Sequence, residues 1–507
     1  MNILYRPCAS KENYVLNVLE ALRERKLFER CTVVSQTLDD GDRYPEEYYH
    51  EIKAWYGYQT SYNVICNYDE LPAIPKSIWI ALLPYKSTIL DLTGRAYDMH
   101  ILNYEEMELR YIKHVRFWNY ILDTDKIGFC FFATVPHTAW EFTIYALAKI
   151  KGIPTLLIDE HWVPELCAVA TDIGNIGSSA AVCYKKYEAI AMDEVAQAYY
   201  DKVLGEHLVY SEKDKKQALE VTYRWRKETF FKPFRKMLVT RRKMKKRFQK
   251  GGDPYITIRT IWNCNADIKY GIRQRIFDRQ LKQIDDYNKM ASDQVDLREK
   301  YILFSIQYTP EATTLPKAGV FSNQLLTIQL LAEAAKDRGI KIYVKEHWSQ
   351  CGRIADFYNE LSVIPNVYLL RADLRNDTLV EHAYMVASQT GTCIVEAFLR
   401  CIPCLVFAYN ASAEAPGVYY VESKEDIVRA IDRTNSQKRA SAEDAKKYFA
   451  AICKTSVRSC LDWTSNRKYT TQVYMTDVVE LITDYIKMGM PDNYYYENKN
   501  ISDVLTT

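Results

Sequence analysis

The chain has 507 residues, too many for one hydrophobic core, which stops growing at about 250–300 residues, so more than one domain is expected. Hydrophobic residues make up 48% and charged residues 26%, with a net charge of +2; this is the balance of a folded globular protein able to bury a large core. The thirteen cysteines are odd in number and irregularly spaced, which argues for reduced thiols and against a disulfide framework.

In chain order, short apolar runs at Asn2–Tyr5, Cys31–Ser35, Tyr62–Cys66, Ser77–Leu83, Ile127–Phe132 and Thr155–Ile158 read as strands. Glu12–Lys26 and Ala139–Lys151 read as helices, the second stopped by Gly152 and Pro154. Strand and helix in alternation imply right-handed crossovers and a mostly parallel sheet. This first lobe is expected over residues 1–200. Residues 201–300 read as a helical connector whose one strand signal is Tyr255–Trp262. The connector carries a basic insert: Arg224–Lys250 holds thirteen Lys or Arg residues against the single acid Glu228, interleaved with Trp225, Phe230, Phe231, Phe234 and Phe248. Such a segment either lies on an anionic membrane surface or is a solvated helix whose aromatics pack on a lobe. Nucleic acid is not expected as a partner.

A second alternating pattern fills residues 301–460. Strands are expected at Tyr301–Ile306, Ile340–Val344, Val367–Leu370, Tyr384–Ala387 and Cys404–Phe407, with helices at Asn323–Asp337, Arg353–Leu361, Asp377–His382 and Cys393–Arg400. Residues 461–507 hold a helix, Thr471–Met488, and a loose tail. The N-terminus has no apolar signal core, and no apolar run approaches the about 18 residues that span a bilayer, so the expected location is cytoplasmic, peripheral to the inner membrane face if the basic insert binds lipid. Cys401 and Cys404 form the one CxxC pair, read as inert because Cys404 opens a buried strand.

Ligands of open parallel sheets bind beyond the carboxyl ends of strands. In the second lobe three such ends are polar: Gln307-Tyr308-Thr309 with Glu311-Ala312-Thr313-Thr314, Lys345-Glu346-His347, and Ser388-Gln389-Thr390-Gly391-Thr392. Hydroxyls and backbone N–H groups at the last of these suit a phosphate, Gly391 allows close approach, and Glu396 one turn on suits ribose hydroxyls. Lys345 and His347 supply charge for a phosphorylated leaving group without a metal ion. In the first lobe Asp159-Glu160-His161-Trp162 echoes Lys345-Glu346-His347-Trp348. Glu160, Asp159 and His137 are the candidates for a base; Asp39-Asp40-Gly41-Asp42 reads as a turn.

The segments from Gln307-Tyr308 to Thr314, then Gln324-Leu325-Leu326, Val344 to His347, Pro365-Asn366-Val367, Thr390-Gly391-Thr392, Glu396-Ala397 and Pro416-Gly417-Val418 resemble the capsule polysaccharide biosynthesis family. That family is related to bacterial Kdo transferases and has a GT-B architecture. Val135-Pro136-His137 and Gly152-Ile153-Pro154 extend the likeness into the first lobe. The resemblance implies an α/β, GT-B-like fold of two Rossmann-like doubly wound lobes, to which the residues themselves add the helical basic insert and C-terminal helices. It also implies a metal-independent glycosyltransferase without a cofactor, its donor a nucleotide-activated sugar, with CMP-sugars among the candidates, and its acceptor a glycan or a lipid-linked glycan. The implied donor contacts are Lys345, His347, Ser388, Thr390, Gly391, Thr392, Glu396 and Glu311. Trp348 stands where the family commonly has proline after the histidine. A sugar-nucleotide epimerase of the UDP-N-acetylglucosamine 2-epimerase type shares this architecture, and a non-catalytic component of a polysaccharide assembly complex is the third reading.

Overall fold

A computed structural model describes residues 1–7, 14–35, 44–53, 68–96, 104–163, 165–206, 286–293, 295–309, 311–347, 356–372, 374–436, 439–459 and 471–499. The expected strands Tyr62–Cys66 and Tyr255–Trp262, the acidic turn Asp39–Asp42, the basic insert Arg224–Lys250 and Trp348 lie outside the described residues.

The strands are β1 (Asn2–Arg6), β2 (Cys31–Ser35), β3 (Tyr49–Lys53), β4 (Ile127–Phe132), β5 (Thr155–Glu160), β6 (Leu166–Ala170), β7 (Tyr301–Ser305), β8 (Lys341–Lys345), β9 (Val367–Leu370), β10 (Met385–Ser388), β11 (Cys404–Val406), β12 (Val418–Tyr420) and β13 (Ser456–Arg458). They form a seven-stranded sheet ordered β13-β6-β5-β4-β1-β2-β3 and a six-stranded sheet ordered β12-β11-β10-β7-β8-β9. In both, the chain starts in the middle, adds two strands to one side, then returns to build the other side. That is the order of a Rossmann fold. Neighbours pair in parallel, Ile3 with Cys31 and Phe129 in the first sheet, Ile302 with Ile342 and Met385 in the second. The α/β class and the two Rossmann-like doubly wound lobes expected from the sequence are present.

The chain divides into two compact units, one built on Met1–Ile158 and Arg458–Asp492, the other on Asp159–Thr222, Arg279–Val457 and Asn493–Thr507. In the first, Phe129, Phe131 and Phe132 of β4 are fully buried, as strands covered on both faces require, and Trp118 of the helix Tyr104–Thr124 is fully buried too. The helix Thr471–Lys487 belongs here: it packs on the helix Tyr14–Glu24, Arg25 donates to the Thr483 hydroxyl at 2.9 Å, and the Tyr485 ring lies 5.6 Å from that of Phe129. In the second unit β7 to β11 sit between two apolar layers, Tyr301, Leu303, Val386 and Phe398 on one side, Ile302, Phe304, Ile328 and Leu331 on the other.

Two local expectations change. Ser77–Leu83 was expected as a strand, but Lys76–Ala81 is a helix with Pro75 at its N-cap and no buried residue. A short apolar run is ambiguous between the two, and proline just before a first turn favours the helix. The C-terminal stretch was expected to be loose, but Tyr494, Tyr496 and Asn498 are buried, with Asn498 donating to the Ser456 carbonyl at 3.1 Å and Tyr496 N–H to the Ser179 hydroxyl at 3.1 Å.

His114, on the helix Tyr104–Thr124, is 2% exposed; burial, assisted by the charge of Arg110, pulls its pKa down to about 3. Below about pH 6.5 the unfolded chain takes up a proton that this imidazole refuses, so stability falls as pH falls. The loss attributable to His114 should approach 1.4 kcal/mol per pH unit, about 2 kcal/mol between pH 6.5 and pH 5. Urea midpoints at pH 7 and pH 5 check this: His114→Gln should show the smaller acid loss.

Candidate functional site

β7 lies between β10 and β8, so the ends of these three strands are neighbours. The register sets Ser305 against Lys345 and Phe304 against Ala387, which brings the residues just past them, Gln307, Glu346-His347 and Gln389-Thr390, to one edge of the sheet. The gap between β7 and β10 is where the chain reverses its direction of strand addition, the place where such sheets hold ligands.

One side chain spans that gap. Gln307 donates through Nε2 to the Ser388 hydroxyl at 2.8 Å, and Ser388 donates to the Ser305 carbonyl at 3.1 Å. Gln307 is itself clamped, its N–H donating to Gln324 Oε1 at 2.7 Å and its carbonyl accepting from Gln324 Nε2 at 3.0 Å. Gly391 sits beneath: a Cβ there would collide with the Gln307 amide and stand 2.8 Å from the Ser388 hydroxyl. Thr390 donates to the Thr313 carbonyl at 3.3 Å, and Thr392 opens the helix Thr392–Phe398. Cys393 lies beside Ser305 and Ser388, its thiol pushed by burial up to about 12, which leaves it protonated.

The β8 exit is locked from behind. Glu346 is almost fully buried and accepts from its neighbour's N–H, that of His347, at 2.6 Å and from the Tyr358 hydroxyl at 2.8 Å. Glu346 N–H donates to the Tyr287 hydroxyl at 3.0 Å, and that hydroxyl donates to the Leu370 carbonyl. With its backbone so fixed, His347 is half-buried, its ring 5.8 Å from that of Tyr308. Lys345 is 8% exposed.

The other donor candidates are spread around this edge. Glu311 is exposed in the turn after β7 and accepts from the Thr313 hydroxyl at 3.2 Å. Glu396 is buried one turn into its helix, with Asn376 Nδ2 3.5 Å away. Of the three base candidates, Asp159 is ion-paired with Lys317, and Glu160 is exposed at the end of β5. The echoing His161 is half-buried, its pKa drawn down to about 3 by burial and then by the charge of Lys317, so it is neutral near pH 7.

His137 belongs to the first unit, where it follows β4 at that sheet's own reversal point, between β1 and β4. Beneath it Arg6, from the end of β1, forms a buried ion pair with Glu141, which also accepts from the His137 and Thr138 N–H groups at 3.0 Å each. The His137 Nδ1 lies 2.7 Å from the Val135 carbonyl. A carbonyl only accepts, so Nδ1 carries the hydrogen and Nε2 is the basic nitrogen of the neutral ring.

Sequence reading passed over Lys317, Tyr287 and Tyr358, and gave Gln307 and Gln324 no individual role. Gln307 stands two residues past β7 and carried the signal of a polar strand exit. Lys317 and Asp159 are 158 residues apart, and nothing in either segment announces the other.

No family model matches this chain, and no curated protein matches it. Among solved structures it is similar to two Kdo transferases of Thermosulfurimonas dismutans KpsC. For the beta Kdo 2,7 transferase the identity is 10% over 75% of this chain and 98% of that chain, with a TM-score of 0.29. For the beta Kdo 2,4 transferase it is 11% over 64% and 79%, with a TM-score of 0.26. A UDP-GlcNAc 2-epimerase from Neisseria meningitidis, bound to UDP-GlcNAc, is 10% identical over 96% of this chain and 100% of that chain, with a TM-score of 0.23. At these values the likenesses carry no information on substrate or reaction, and the resemblance to the capsule polysaccharide biosynthesis family rests on the quoted motifs.

Proposed function

We propose that this protein is a metal-independent glycosyltransferase that uses a nucleotide-activated sugar, a CMP-sugar among the candidates, in capsular or other surface-polysaccharide biosynthesis. The observation that carries this reading is the Gln307–Ser388–Gly391 cradle at the reversal point of the second sheet, flanked by His347 and Lys345. In this reading the phosphate handle of the donor rests on Gly391 and the Thr392 hydroxyl, in a seat shaped by Ser388 and Thr390, whose own hydroxyl hydrogens go to the Ser305 and Thr313 carbonyls, with Lys345 and His347 at the neighbouring strand end. Glu396 meets the ribose and Glu311 lies at the rim. In an inverting transfer the acceptor hydroxyl attacks the anomeric carbon as the bond to the phosphate oxygen breaks, and a base takes the hydroxyl proton. Glu160, exposed at the end of β5, is the first candidate for that base, because Asp159 already neutralises Lys317; His137, whose Nε2 carries the lone pair, is the next.

The test is incubation with labelled nucleotide sugars, with and without acceptor glycan, after a thermal-shift panel of CMP, CDP, UDP and GDP to select the base. Free nucleotide released only with acceptor supports transfer. An isomerised sugar nucleotide means an epimerase instead, and nucleotide binding without either product means a non-catalytic component. Turnover is expected to persist in excess EDTA, and a dependence on divalent ions sinks the metal-independent part. His347→Ala should weaken nucleotide binding about 10- to 100-fold, the size of one lost charge-assisted hydrogen bond, read by calorimetry.

No helix among the described residues is long and apolar enough to cross a membrane. Docking of Arg224–Lys250 on an anionic bilayer is part of this proposal, and sedimentation with phosphatidylglycerol vesicles, lost at high salt, tests it.

A further inference from the structure

The turn after β7 carries a charged tether to which the donor reading gives no role. Residues 311–318 wind tightly: Thr314 and Leu315 N–H groups donate to the Glu311 carbonyl at 3.1 and 2.9 Å, and Ala318 N–H to the Thr314 carbonyl at 3.1 Å. The Thr390 hydroxyl binds this turn to the candidate phosphate seat through the Thr313 carbonyl. At the far end Lys317 is ion-paired with Asp159, the two side chains only 6% and 14% exposed.

A pair so withdrawn from water is a poor source of stability but a strict geometric constraint, since moving either partner strands a charge away from both its counter-ion and solvent. With its ammonium engaged by a carboxylate, Lys317 acts through the backbone it belongs to. We propose that Asp159 and Lys317 are a positioning pair that pins the 311–318 turn against the Ser388–Thr392 seat, so that the pair sets how completely the seat is formed for a nucleoside phosphate. This rests on the donor reading for its ligand and on the geometry alone for the pinning.

Hydrogen exchange on the full chain tests the pinning without any ligand. In Lys317→Met the amides of Thr314, Leu315 and Ala318 should lose protection about tenfold or more, while those of Leu303 and Val344 in the neighbouring strands hold theirs. Lys317→Arg, which keeps the charge, should retain protection. If Lys317→Met does not fold, Asp159→Ala, which removes the acceptor from the other end, takes its place with the same expected loss at Thr314, Leu315 and Ala318 and the same overturning results. Titration with CMP and UDP then reads the consequence: a seat complete a tenth of the time binds about tenfold more weakly. Unchanged protection in Lys317→Met overturns the proposal, as does loss at Leu303 and Val344 as well, which marks a general structural role. Lost protection with unchanged affinity overturns the link to the seat. If no nucleotide binds the wild type, the donor reading falls, and exchange still decides the pinning.

Discussion

Gly391→Ala is expected to abolish most nucleotide binding while leaving the protein folded. The backbone there is ordinary, with φ −63°, so alanine costs no strain of its own. The damage comes from one methyl group placed into the Gln307 amide and against the Ser388 hydroxyl. Ser388 cannot yield, because it is buried in β10 and donates to the Ser305 carbonyl; Gln307 must therefore swing off it. The clamp from Gln324 holds the Gln307 backbone in place, so the displaced amide stays near the gap and fills space a phosphate would need. Overpacking of this kind costs about 1–3 kcal/mol of stability. The affinity loss should exceed tenfold, about 1.4 kcal/mol. Calorimetric titration with the responding nucleotide beside a urea melt separates the two effects. Affinity within twofold of wild type would remove the cradle from the donor site.

Glu141→Ala should produce the largest loss of stability of any substitution considered. Its carboxylate is fully buried, and although burial drives its pKa up, Arg6 and the His137 and Thr138 N–H groups outweigh that and hold it below the usual range. Removing it leaves the Arg6 guanidinium unpaired in the interior and two N–H groups without an acceptor, which costs about 3–5 kcal/mol. Replacing both partners, Arg6→Leu with Glu141→Leu, should recover much of this, with a residue of about 1 kcal/mol for the lost helix cap. Because the folded pKa is depressed, the stabilisation is complete above the unfolded value and is lost as pH falls through the folded one. Trp140, its ring 5.9 Å beneath the Arg6 guanidinium, supplies a local fluorescence readout. The same substitution should disturb His137, whose N–H it releases, so any surviving turnover measures how far that imidazole depends on its support.

The second lobe was the more legible half. Its strands are short apolar runs bounded by glycine, proline or polar residues, and the Gln324–Lys336 helix after the first of them is long enough to carry a period, so β7 to β11 are found within two residues of their ends. Strands with weaker signals were missed. Tyr49–Lys53 (Tyr-His-Glu-Ile-Lys) has only two apolar residues, three apart, and so lacks the strand period, and Val418–Tyr420 is three residues long, too brief for any periodicity. Site residues were legible where the signal is local, as with polar groups after a strand or a glycine before a helix. Where a role depends on partners far apart in sequence, as with Lys317 and Asp159, or Glu346 and Tyr287, no pattern in either segment carries it, because only the folded register brings them together.

The Thr471–Lys487 helix, which closes the first unit, has a consequence for biosynthesis. Phe129 emerges from the ribosome roughly 340 residues before the element that covers it and the Tyr14–Glu24 helix roughly 450 before, and Tyr485 donates to the Thr155 carbonyl at 3.2 Å only once that late helix has been translated. A nascent N-terminal half therefore exposes an apolar face for the duration of synthesis and is a natural client for chaperones. Premature termination anywhere before residue 471 should yield aggregate and not a free-standing lobe.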